Sequence, residues 1–173
     1  MIFGPRIELK TPEELQLMHR AGQLTRQVLS AARSAAVAGA TTAEVDAAAE
    51  AVIVGAGAQS NFKGYQGFPA VVCISVNEEI VHGIPGPRVL RTGDLVSIDG
   101  GAIVEGFHGD SALTMIVGGE DAGSAADREL SAATEQAMWA GIAAFATGTR
   151  VSDVGDAIDD FVTEHFPHLG LVE

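Results

Sequence analysis

Two aspartates near the middle of the chain limit its folding choices most. Asp99 closes the apolar run Leu95-Val96-Ser97-Ile98, and Asp110 stands at the entrance of the run that ends in Ile116-Val117. A carboxylate rarely enters the edge of such a β-branched stretch without a partner, because its charge must leave water. The surrounding segment, Gly64 to Val117, alternates strand-like runs with glycine and proline punctuation. Strands at 70–76, 95–99, 102–105 and 111–117 are expected, with Gly100-Gly101 as a close-approach point or a bulge. Two antiparallel strands joined by a turn near Glu105-Gly106 bring the carboxylates side by side. Their like charges then push one pKa upward unless a cation lies between them. Spacing alone leaves two readings open: a site for one or two divalent metals, or aspartates that cap turns and sit at the surface.

Two carboxylates supply too few oxygens for a two-metal site, so further ligands must come from His82, His108 or elsewhere. His82 precedes the rigid turn Gly83-Ile84-Pro85-Gly86-Pro87, which holds its ring in a defined place. As a neutral imidazole near pH 7 it can donate to or accept from a bound group, or simply be satisfied at a strand end. His108 lies two residues before Asp110 and shares its face if that segment is extended; it is either a near-site group or a packing residue. The loop over residues 58–70 keeps Phe62, Tyr65 and Phe68 at intervals of three, as a covering loop would. Cys73, the only cysteine, lies in Val71-Val72-Cys73-Ile74-Ser75-Val76 and is a buried small side chain or a thiol lining a pocket. It excludes an intrachain disulfide and a cysteine-built zinc site.

Helices are expected on both sides of this segment. Thr11-Pro12-Glu13-Glu14 is a helix start with a capping box, and Thr42 with Val45 opens a second helix ending at Gly55 or Gly57. A third runs from about Asp127 to Phe145 and a fourth from about Val151 to His165, capped by Ser152 or Thr149. Sliding the first half onto the second puts Thr25 on Thr134, Gly39 on Gly148 and Val52 on Phe161, the pattern of an internal duplication. The formal net charge of -13, with only 10 Lys and Arg, argues against nucleic-acid binding. The glycine pairs match no phosphate-binding fingerprint. No run approaches the roughly 18 apolar residues that span a bilayer, and Met1 to Lys10 shows no leader pattern. A cytoplasmic chain with neither membrane nor nucleic-acid partners is the expectation.

The phrases NEEIVHGIP, SIDGGAI and GFHGDSA, with GYQGFP and CISVNE before them, resemble those of the type I methionine aminopeptidases. The resemblance runs over essentially the whole chain and implies an α+β pita-bread fold: two pseudo-symmetric halves, each with helices on one side of a curved antiparallel sheet. It implies one domain over 1–173, with 11–118 as the first pseudo-repeat and 119–173 as the helical start of a second, incomplete one. It implies two divalent ions (cobalt, manganese, iron or zinc) held in part by Asp99 and Asp110, with His82 as the catalytic histidine. On the same pattern Tyr65, Phe68 and Cys73 line a pocket for a methionine side chain, and His108 stands near the site without being a ligand. Gly101 departs from the pattern, since many relatives keep a threonine there. The family pattern also needs a histidine in a glycine-histidine-glycine motif and two glutamates, which this sequence does not show. The expected function is therefore metal-dependent removal of the N-terminal methionine from nascent peptides, with the 173-residue chain by itself inactive or weakly active. A second chain or self-association could complete the site. The alternative is an inactive half-protein or binding module that works through oligomerisation.

Overall fold

The computed structural model describes residues 9–172, which form two compact units divided between Ala122 and Gly123. Most of the stretch read for a leader lies in residues 1–8, outside those described.

In the first unit, α1 (Pro12–Ala35) starts at the expected capping box: the Glu14 amide donates to Thr11 Oγ1 at 3.3 Å, and the Thr11 amide donates to Glu14 Oε2 at 2.7 Å. Its buried stripe, Ala21, Leu24, Thr25, Val28, Leu29 and Ala32, repeats at three and four residues. Helix α2 (Thr42–Gly55) opens at Thr42 and ends at Gly55 as expected, and its cap is Thr41, because Glu44 stands three residues after Thr41 and completes the box. The Thr42 hydroxyl is engaged elsewhere, accepting from the Gly86 amide at 2.9 Å and so tying the proline-rich loop to the helix.

Among the described residues the sheet has four strands: β1 (Gln59–Ser60), β2 (Val72–Val76), β3 (Leu95–Val104) and β4 (Phe107–Ile116). All pairings are antiparallel. β4 runs along one edge of β3 for its whole length, while β2 and then β1 share the other edge. Two expectations are corrected here. β3 is one continuous strand with regular pairing through Gly100 and Gly101, so these glycines mark close approach and not a bulge. β4 begins at Phe107, earlier than expected, because Glu105 and Gly106, both at positive φ, make a two-residue turn of the kind that matches strand twist.

Side chains alternate across this sheet. Val72, Ile74, Val76, Val96 and Ile98 face the helices and, with Val28, Leu29, Val45, Ala49 and Ile53, form the apolar core. The helix side is closely packed: a Cβ on Gly109 would lie 2.6 Å from the Ala21 carbonyl, and one on Gly100 would meet Val72 at 2.9 Å. The buried Thr25 hydroxyl accepts from the Ala102 amide at 3.2 Å and donates to the Ala21 carbonyl at 3.0 Å. The opposite face therefore receives Cys73, Ser75, Ser97, Asp99, Asp110 and Thr114, with Ser97 Oγ and Thr114 Oγ1 at 2.9 Å.

The second unit is a pair of helices, α3 (Ala125–Thr147) and α4 (Ser152–His165). α3 starts two residues earlier than expected because Ser124 and Asp127 form a capping box. Neither Ser152 nor Thr149 caps α4. Instead the Asp153 carboxylate, inside the first turn, accepts from the Thr149 and Arg150 amides at 2.7 and 3.0 Å. Ala133, Ala137 and Gly141 recur every four residues on α3, and at Gly141 the helices approach so closely that a Cβ would meet Ile158 at 2.9 Å. Among the described residues no helix is long and apolar enough to cross a membrane.

Two glycines at one contact have opposite expectations. Gly22 faces open space within α1, so Gly22→Ala raises stability by about 1 kcal/mol through helix propensity. Gly109→Ala forces backbone apart and lowers it by about 1–3 kcal/mol. Urea unfolding of both variants measures the two signs; a tolerated alanine at 109 would contradict the packing described.

Candidate metal centre and pocket

The register of β3 against β4 places the aspartates. Asp110 lies directly opposite Gly101, and Asp99 is two residues back along β3, so both carboxylates rise from the same face on a diagonal. On the other edge of β3, Cys73 lies directly opposite Asp99. Burial raises the pKa of Asp99, and the Asp110 charge raises it further; His82 and the Gly100 amide act in the opposite sense. The Cys73 thiol is pushed up to about 11, first by burial and then by the Asp99 and Asp110 charges, so at neutral pH it is a protonated wall and not a thiolate.

His82 reaches this face from a strained loop. Its φ of 57° lies in the left-handed region, uncommon for a residue with a side chain. Two contacts with β2 hold it there: the Ile74 amide donates to the Gly83 carbonyl at 2.9 Å, and the Gly83 amide donates to the hydroxyl of buried Ser75 at 3.1 Å. The loop runs so close to β2 that a Cβ on Gly83 would be 2.1 Å from the Ile74 carbonyl oxygen. Sequence reasoning passed over Ser75. Its signal was the two-residue alternation with Cys73, which puts its hydroxyl on the site face.

The aromatic loop forms the remaining wall. Ser60 Oγ donates to the Val71 carbonyl at 3.2 Å and accepts from the Phe62 and Lys63 amides at 3.0 and 3.2 Å. The Lys63 ammonium pairs with the Glu50 carboxylate of α2. Asp46 of α2 accepts from the Val71 and Val72 amides at 2.9 and 3.1 Å, fixing where β2 begins. Phe62 and Phe68 then meet edge to face, with centroids 6.4 Å apart.

Together these elements line an open pocket of about 600 Å3 whose walls include Phe62, Tyr65, Phe68, Cys73, His82, Ile84, Asp99 and Asp110. Six sequence-derived candidates, Tyr65, Phe68, Cys73, His82, Asp99 and Asp110, thus meet at one place. His108 shares the face of Asp110 but is exposed, opposite Ile103, and outside the lining. Gly101 is also outside the lining; the space above its Cα is taken by the Asn61 side chain. The paired carboxylates suit a hard divalent cation, since burial disfavours the Asp99 charge, the Asp110 charge adds to that, and a cation between the two offsets both. Among the described residues no three or more His, Cys, Asp or Glu side chains are grouped to hold a metal by themselves.

The sequence profile of metallopeptidase family M24 matches residues 16–172. Methionine aminopeptidase 1 of Mycobacterium tuberculosis is 48% identical over 147 residues, covering 84% of this chain and 54% of that protein. Methionine aminopeptidase 1 of Bacillus subtilis is 43% identical over 153 residues, covering 88% of this chain and 60% of its own. Among solved structures, methionine aminopeptidase from Thermotoga maritima superposes with a TM-score of 0.82 at 34% identity, over 92% of this chain and 63% of the other. Prolidase from Pyrococcus furiosus superposes at 0.77 with 21% identity, over 91% of this chain and 44% of that one, a likeness of fold alone. The chain spans 54% and 60% of the length of the two curated relatives.

The electrostatics of the face lead to two expectations for the metal-free chain. Alkylation of Cys73 by iodoacetamide, followed by mass spectrometry, is slow at pH 8 and rises only toward pH 11, and Asp99→Asn moves the rise to lower pH. An unchanged profile would mean that the carboxylate does not face the thiol. A carboxylate whose folded pKa lies above its ordinary value of 3.8 weakens folding as pH rises through that interval. Asp99→Asn is therefore more stable than the parent at neutral pH, and the gap closes as pH falls toward 3.8. Denaturation at several pH values checks the sign.

Proposed function

The chain belongs to metallopeptidase family M24 and carries the pita-bread fold, and from that premise we propose that it contributes the metal-binding and substrate-pocket face of a methionine aminopeptidase. The observation that carries the reading is the diagonal pair Asp99 and Asp110 at a pocket walled by Tyr65, Phe68, Cys73 and His82. Asp99 and Asp110 hold divalent ions, two in number, drawn from cobalt, manganese, iron or zinc. When bound, such ions polarise the carbonyl of the first peptide bond and activate water. The apolar walls receive an unbranched thioether side chain, with Phe62 and Phe68 giving shape and the protonated Cys73 adding no charge. His82, held in one backbone conformation, offers a ring nitrogen to donate to or accept from the reacting peptide group. The substrate is then the N-terminal methionine of a nascent chain.

The helices support an internal duplication: α1 and α2 have 24 and 14 residues, α3 and α4 have 23 and 14. On this reading residues 11–118 are the first repeat and 119–173 the helical start of a second, and Asp99 and Asp110 are two members of a larger ligand set, to which a second chain or a second copy would add. The sparse ligand set favours one other reading, a pita-bread module that binds without catalysis and works through self-association.

Two measurements test the proposal. With added cobalt, manganese or iron, the 173-residue polypeptide turns over a Met-Ala-Ser peptide weakly or not at all; robust turnover would show that no further ligands are needed. Methionine amide shifts the nuclear magnetic resonance signals of Tyr65 and Phe68, and glutamate amide does not. If neither moves them, the pocket does not take methionine, and the non-catalytic reading gains.

A further inference from the structure

Asn61, Gly101 and Asp110 lie in one row across three neighbouring stretches of chain. The Asn61 amide donates to the Gly101 carbonyl at 3.3 Å, continuing the β1–β3 pairing by one residue, and Gly101 pairs with Asp110 on its other edge. All three therefore face the same side of the sheet. Gly101, having no side chain, leaves a corridor over β3, and the Asn61 side chain crosses it. Its Nδ2 donates to the Gly109 carbonyl at 2.9 Å and, at 3.4 Å, to Asp110 Oδ2. A Cβ on residue 101 would stand 2.2 Å from that nitrogen. The other end of the amide, Oδ1, is buried without a hydrogen-bond partner, so the side chain is held through its nitrogen alone. A carboxamide bent over a bare glycine, with its oxygen left unsatisfied, costs free energy that a surface orientation would not.

We propose that Asn61 is a positioning residue for Asp110: it reaches across Gly101 and fixes one carboxylate oxygen by hydrogen bonding, leaving the other to face the cation. The inference rests on the reading of Asp99 and Asp110 as a cation site, and it makes Asn61 and Gly101 one functional unit. Groups that orient a ligating carboxylate from behind are worth about 10–100-fold in metal affinity.

The probe is Mn2+ alone, titrated into the 173-residue chain and followed by electron paramagnetic resonance of the free ion. Asn61→Ala and Asn61→Leu, the second preserving bulk, each weaken binding about 10-fold and alter the spectrum of the bound ion. Their urea midpoints show that both are folded. Asp99→Asn removes binding and reports on the underlying reading. If Asp99→Asn abolishes binding while both Asn61 variants bind like the parent, the cation site stands and the role of Asn61 falls. If the parent binds no Mn2+ at millimolar concentration, both fall together. In the metal-free chain, Asp110→Ala shifts the Asn61 side-chain nitrogen-15 resonance; an unmoved resonance overturns the proposal without any metal.

Discussion

The pairing of β3 with β4 is the constraint on which the rest of the first unit depends. Ten consecutive cross-strand pairs run from Leu95 opposite Ile116 to Val104 opposite Phe107, with no bulge. A slip of one residue would turn Asp99 and Asp110 into the apolar core and bring Ile98 and Leu113 out to the pocket. The register is secured because one face carries Val96, Ile98 and Val72 against α1 and α2, where burial of aliphatic surface greatly exceeds the cost of two crowded carboxylates. Hydrophobic packing on the back of the sheet thus holds polar chemistry on its front.

The front is built against local preference in three places. Asp99 is half-buried beside a second carboxylate, His82 sits at positive φ, and Asn61 keeps a buried oxygen without a partner. Each disfavours the folded state in isolation, and each is held by contacts from behind: the β3–β4 ladder for Asp99, Ile74 and Ser75 for the His82 loop, and Gly109 for Asn61. Local strain gathered at one cavity and carried by a well-packed scaffold is how functional sites differ from the rest of a fold. The surface charge of the chain, strongly acidic, plays no comparable part, because exposed pairs such as Arg20 with Glu105 contribute little.

The sequence disclosed this arrangement unevenly. Apolar periodicity and the Glu105-Gly106 turn were enough to expect the hairpin and the meeting of Asp99 with Asp110, since alternation and turn length are local properties. The short motifs carried the family resemblance that the M24 match bears out. Helix ends were less legible. The start of α3 at Ser124, earlier than expected, depends on which residue finds an acidic partner three positions on, and the Asp153 cap of α4 comes from an unusual place inside the helix. Long-range polar contacts were not legible at all. Nothing in Ser75 or Asn61, read along the chain, says that one would meet Gly83 or that the other would cross Gly101 to Asp110, because those meetings follow from register and loop path.

The two faces of β3 also explain why glycine occurs twice in succession at its centre. Gly100 points to the helices, where a Cβ would press on the Val72 side chain of β2 at 2.9 Å, so its bareness leaves Val72 its place in the core beneath α1. Gly101 points to the site, where its bareness admits the Asn61 amide. A single glycine would meet one of these needs and not the other, since neighbouring strand residues face opposite ways. The first is a packing demand and the second a demand of the carboxylate pair. Adjacent identical residues therefore answer to different physics, and any side chain at 101 requires Asn61 to give up its place over β3 and presses on the Gly109 carbonyl at 2.7 Å.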